Sequence, residues 1–190
     1  MNTQTIILVV IAIAAVVFAA VMYVQKERTR RLRGKFGNEY DRLVHDRGSQ
    51  HKAEEELVNR QRRIEKLSLR DLNAGEVDRF STSWRNIQAE FVDSPREAVA
   101  KADRLVQEVM STRGYPMSNF EQQAADISVD HIRVVDNYRS AHAIAERDAA
   151  GQANTEDLRQ AMVHYRALFE DLLTTTQVHQ TTHHVEEVRR

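Results

Sequence analysis

Between Ile6 and Val24 the chain reads IILVVIAIAAVVFAAVMYV, nineteen residues from the apolar set, with no charged side chain before Lys26. About 20 helical residues cross a hydrocarbon core of roughly 30 Å, and a helix satisfies its own backbone groups there. The run therefore predicts a tail and transmembrane helix over residues 1–25, with the lipid bilayer around it. Lys26, Arg28, Arg30, Arg31, Arg33 and Lys35 follow against a single Glu27, a net charge of +5 over residues 26–35. Lys and Arg beside a span stay on the cytoplasmic side, so a single-pass topology with the N-terminus outside and the C-terminal domain cytoplasmic is expected. The alternative is a cleaved leader, processed near Val17, Phe18 and Ala19 to give a secreted or periplasmic product, although MNTQT lacks the positive charge such leaders carry.

The cations at 26–35 form a juxtamembrane segment that also attracts anionic head groups. A nucleic-acid role is not expected, because Phe36 is the only aromatic close behind them and the remaining chain is acidic. Gly34 to Gly37 matches a GxxG spacing but lacks the strand and helix context of a phosphate-clamping loop. The 190 residues contain no cysteine, which excludes disulfides, CxxC redox chemistry, thiolate metal sites and a cysteine nucleophile. Only 6 Gly and 2 Pro stand among abundant Ala, Arg, Glu, Gln and Leu, and the fold class read from this is all-α.

Residues 36–67 predict a helical stalk with a thin coiled-coil seam. Phe36, Leu43, Gln50, Leu57 and Ile64 step by seven, Ala53 and Leu67 take the four-residue offset, and Gly48 interrupts the pattern. The stalk either pairs with a second copy, giving a homo-oligomer, or is a single helix packed on the downstream domain. Residues 68–173 predict a bundle of four main helices and one short one. Asn73 and Glu76 form an Asn-capped relative of the capping box. The first stripe is Val77, Phe80, Trp84, Ile87 and Phe91. Pro95 restarts the chain, Ala98, Ala102, Leu105, Val106, Val109 and Met110 form the second face, and Gly114 ends it. Ser118 and Glu121 predict a capping box for the short helix of Phe120, Ala124 and Ile127. Ser128 or Asp130 is expected to cap the next helix, which Gly151 closes, and Thr155 the last, with stripe Leu158, Met162, Tyr165, Phe169 and Leu172. Residues 174–190 lack apolar periodicity and are expected to be a disordered tail.

Catalytic signatures are missing from the sequence. There is no HExxH, no Glu-x-x-His, no GxGxxG, no P-loop and no GxSxG. The strongest polar feature is SVDHIRVVDNYRSAH, in which helical spacing would put His131, Tyr138 and His142 on one buried face with Asp130 alongside. The two imidazoles would stand about 16 Å apart, too far to share a metal ion. One reading is a pH-sensitive or ligand-binding pocket, and the other is hydrogen-bonded interfacial histidines. In RGYP, Arg113 and Tyr115 are ligand candidates, while Gly114 and Pro116 explain the turn structurally. His179, His183 and His184 would chelate weakly at most, so no metal and no cofactor is expected.

The order of one apolar span, basic flank, FGNEYDRLV, ADRLVQEVM before GYP, FEQQAADISVDH, VVDNYRSAH and TEDLRQAM resembles a family of bacterial proteins with one N-terminal membrane segment, over nearly the whole chain. The resemblance implies that architecture and a bacterial origin only, and it supplies no activity, cofactor or catalytic residue; the span with its basic flank is what places the chain in a bacterial inner membrane. His131 is followed by Ile132 where a proline is associated with the motif. The function expected is a membrane-anchored helical interaction or scaffold module with a protein partner and no catalysis. The alternative is a ligand-binding or enzymatic domain, extracytoplasmic if the topology is reversed, using Asp130, His131, Tyr138 and His142. A filled core beside an exposed apolar groove favours the first and a deep polar cavity the second.

Overall fold

Where helix-favouring sequence is punctuated only by isolated glycines and two prolines, the chain forms α1 (Thr3–Arg47), α2 (Gln50–Glu65), α3 (Ala74–Glu90), α4 (Pro95–Arg113), α5 (Phe120–Asp130), α6 (Val135–Ala149) and α7 (Thr155–Glu187). The computed structural model describes the side chains of Gln4 and of residues 11–174. Among the described residues there is no strand, as the all-α reading expects. The chain divides into two compact units, residues 1–59 and 60–190, with the boundary inside α2.

Among the described residues no helix is long and apolar enough to cross a membrane. The transmembrane helix expected between Ile6 and Val24 is corrected accordingly, and with it the single-pass inner-membrane location and its topology. The physical reason is the charge that follows the apolar run. Among the described side chains the apolar run covers residues 11–24, so a window of spanning length takes in the charged Lys26, Glu27 and Arg28. Residues 6–10 of the expected span lie outside the described residues, as does the expected tail over 175–190.

In the first unit two glycines redirect the chain. Gly37 interrupts α1 with φ 46° and ψ −124°, and Gly48 ends it at φ 62°, a region where only glycine avoids a Cβ clash. Leu32, Phe36, Tyr40, Leu43, Ala53 and Leu57 are buried, so most of the seven-residue seam is covered by the chain itself. Gln50 is exposed. Its amide instead donates to Thr29 Oγ1 and Glu54 Oε1, both at 2.9 Å. Glu54 also accepts from the Thr29 hydroxyl at 2.6 Å and the Tyr40 hydroxyl at 3.0 Å. Burial opposes its charge, but these three donors and Arg28 together hold the Glu54 carboxyl below its usual range. One carboxylate thus ties α2 to α1 on both sides of Gly37.

In the second unit α7 packs on α6 and α4, α4 packs on α3, and α5 packs on α6. The stripes of α4 and α7 anticipated from spacing are buried throughout, while Val77 and Phe91 at the margins of the α3 stripe are half-buried. Asn73 and Glu76 form the full reciprocal box. Gly114 ends α4 at φ 95°, and a Cβ there would stand 3.0 Å from the Ser68 carbonyl. Three expected caps move. Ser118 lies in a turn, its N–H bonded to the Pro116 carbonyl at 3.0 Å, and Asn119 caps α5 by accepting from Gln122 N at 2.9 Å. Neither Ser128 nor Asp130 caps α6. Both belong to α5, where the Ser128 hydroxyl donates to the Ala125 carbonyl at 2.6 Å. Asn154, rather than Thr155, caps α7, exchanging bonds of 3.0 Å with Asp157 in both directions.

Candidate functional site

α5 ends at Asp130, so the stretch from Asp130 to His142 is not one helix. His131 is the C-cap of α5, with φ −119° and ψ 42°, and its carbonyl accepts from Val134 and Val135 N–H at 3.1 and 3.2 Å before α6 begins. This turn sends the four predicted residues to different surroundings. Asp130 is exposed and accepts from the Tyr115 hydroxyl at 3.4 Å. The His131 ring is buried, with Nδ1 at 2.5 Å from Asp171 Oδ2 on α7. The His131 bond, against the cost of burial, holds the Asp171 carboxyl below its usual range, aided by Arg133 and Arg113. An ionised carboxylate only accepts, so Nδ1 carries the proton. His131 Nε2 is buried and has no hydrogen-bond partner.

Around this pair the groups act as a clamp on one turn of α7. Arg113, also buried, donates from Nη1 to the Leu172 carbonyl at 2.7 Å and lies 3.8 Å from Asp71 through Nη2. Arg133 Nη2 is 3.9 Å from the other oxygen of Asp171. The Tyr115 ring tilts against His131 with centroids 6.3 Å apart, and burial, together with Asp130, raises the Tyr115 hydroxyl well above its usual range. Arg113 and Tyr115 of the RGYP turn thereby join the surroundings of the His131–Asp171 pair, the Arg113–Leu172 bond alone joining residues 59 positions apart. Periodicity carries no signal for such a pairing.

Tyr138 and His142 sit elsewhere, against Phe120. The Phe120 ring stacks on His142 with centroids 3.6 Å apart and tilts against Tyr138 at 4.9 Å. The Tyr138 hydroxyl donates to Gln123 Oε1 at 2.8 Å, and burial raises it well above the usual tyrosine range. His142 Nε2 faces Glu146 at 3.5 Å. His131 and Tyr138 are thus bonded within the bundle, whereas Asp130 and the His142–Glu146 pair lie toward its surface.

A concave surface that spacing did not reveal lies between α3 and α7. Trp84 and Phe169 stack at 4.8 Å and 17°, flooring an open groove of about 300 Å³ lined also by Val77, Ser81, Arg85, Glu170, Leu173 and Thr174. Trp84 is 5% exposed, and its buried Nε1 has no acceptor. Trp84 and Phe169 each carry a sequence signal, as core positions of their own stripes; their meeting across two helices does not.

Of the six flank cations, Arg28 lies 3.8 Å from Glu54, Arg31 3.0 Å from Glu27 and Arg33 3.1 Å from Asp41. Lys35 sits over the Phe36 ring at 5.6 Å, and Lys26 and Arg30 are exposed. Among the described residues no group of three acidic or histidine side chains is placed to hold a metal ion. His179, His183 and His184 lie outside the described residues. No family model, no curated protein and no solved structure matches the chain.

Proposed function

We propose that the chain is a helical interaction module that docks a polypeptide segment in the α3/α7 groove. The carrying observation is an open groove lying over the stacked, buried Trp84 and Phe169 rings. Aromatic anchors in a well-packed recess are where binding energy concentrates at protein interfaces. The rim carries Arg85 from α3 and Glu170 from α7, the latter also paired with Arg166 at 2.7 Å. Charges of both signs complement a peptide that presents an apolar side chain between a cation and an anion, whereas nucleic acids carry one sign only. The reading built on Asp130, His131, Tyr138 and His142 as a pocket is less supported, because those residues are divided and their hydroxyl and carboxylate groups are bonded internally.

Trp84 is the only tryptophan, so its emission reports on the groove directly. Helical peptides selected by display against the full chain are expected to shift Trp84 emission. Ser81→Arg, at a half-buried rim position, is expected to weaken their binding about tenfold or more, the range of truncated interface hot spots. Selected peptides that bind both proteins equally and leave the emission unchanged would place docking elsewhere.

A further inference from the structure

α3 and α7 each pack on α4, and the stacked rings of Trp84 and Phe169 bridge the furrow between them. Val77, Ser81, Trp84 and Arg85 of α3 line this furrow over about 12 Å of helix. The space above the rings, about 300 Å³, lies at the small end of ligand pockets, and both its walls are helices. Such a furrow suits a further helix laid along it, lowering one or two apolar side chains toward the rings.

The charges at the rim decide which helix. Glu170 is already offset within α7 by Arg166. Arg85 is exposed and has no carboxylate partner among the described residues. It donates from Nη2 to the Thr82 hydroxyl at 3.0 Å, which leaves most of the five donors of a guanidinium open. The other cation of α3, Arg79, faces Glu108 at 3.3 Å. Asp78 is exposed seven positions before Arg85, on the same side of α3 and about 10 Å away. With Glu170 it opposes a polyanion, so the complementary partner bears one local carboxylate rather than a continuous run of negative charge.

We infer, resting on the docking reading above, that the segment received by the α3/α7 groove is an amphipathic helix with an Asp or Glu beside its apolar anchor, and that this carboxylate pairs with Arg85. An ion pair at a solvated rim adds little affinity. It acts on partner choice and on the rate of association, in a salt-dependent way. The rings and the aliphatic walls supply the attachment, and Arg85 supplies the selection.

The test starts from helical peptides selected by display against the full chain, which are expected to be enriched in Asp or Glu beside the apolar anchor. One such peptide is then made with Glu, Gln or Lys at that position. The Glu form should bind the parent up to about fivefold more tightly than the Gln form at low salt, the upper range of an exposed pair, and the advantage should vanish near 1 M salt, where the screening length is about 3 Å. Arg85→Glu should reverse the order, so that the Lys form binds more tightly than the Glu form, while Trp84 emission of the unliganded variant stays native. Equal binding of the three forms by the parent, or an order unchanged by Arg85→Glu, would overturn the inference; if Ser81→Arg still weakens all three, groove docking itself would stand. Binding indifferent to Ser81→Arg would overturn the docking reading and this inference with it.

Discussion

At the scale of single residues, the bond between His131 and Asp171 joins positions 40 apart, and its consequence is a defined pH dependence. The Asp171 carboxyl is depressed in the folded chain, so its contribution is complete above the ordinary aspartate value of about 3.9 and is lost as pH falls through the depressed one. Asp171→Asn is expected to cost about 2–3 kcal/mol at neutral pH, because it weakens a hydrogen bond to a buried imidazole. The difference from the parent should shrink as the pH is lowered through the acid range. Urea unfolding followed by Trp84 emission at a series of pH values checks both statements. A constant difference at all pH values would contradict the assignment. His131 was legible as a buried histidine from its sequence context. Asp171 was not, since it lies beside Leu172 on the edge of the last stripe and nothing local distinguishes it from a solvated acid.

At the scale of elements, the helices and their faces were the most legible part, because apolar residues three and four apart must find a common side. Caps were less so. Ser118 and Thr155 are good cap residues by type, yet asparagine one position away takes the role in both cases, since two side chains of similar chemistry compete and backbone turn geometry decides. The break after Asp130 was illegible for a related reason. SVDHIRVVD has no glycine or proline to mark it, and the α5–α6 turn is held by His131, whose ring is anchored through tertiary contact. Where punctuation is strict, prediction is correspondingly firm. Asn73→Ala should cost about 1 kcal/mol by removing the cap. Gly114→Ala should cost more, because it combines a left-handed backbone at φ 95° with a Cβ 3.0 Å from the Ser68 carbonyl, strain of order 1–3 kcal/mol. Denaturant midpoints for the two variants test the ranking, and Gly114→Ala at or above the parent's midpoint would refute it.

At the scale of the whole molecule, the two compact units carry two different exposed surfaces. The first presents an apolar stretch followed by a run of cations, and the second a groove floored by aromatic rings. The apolar stretch was visible in the sequence because it is contiguous. The groove was not, because it depends on how far α7 is rotated against α3, and Trp84 and Phe169 are 85 positions apart in the chain. The clamp of His131, Arg133 and Arg113 holds α7 at Asp171 and Leu172, and those residues share a turn with Glu170 and Leu173 of the groove. The same packing that separates His131 from Tyr138 and His142 therefore fixes one wall of the groove. The claim that this groove receives a polypeptide is tested most directly by placing a photo-cross-linking residue at Ser81 in the full chain in cells, with Arg104 on the exposed side of α4 as control. A discrete protein adduct from Ser81, absent from Arg104 and competed by the display-selected peptides, is the expected result. Equal adducts from both positions, or none from Ser81, would contradict it.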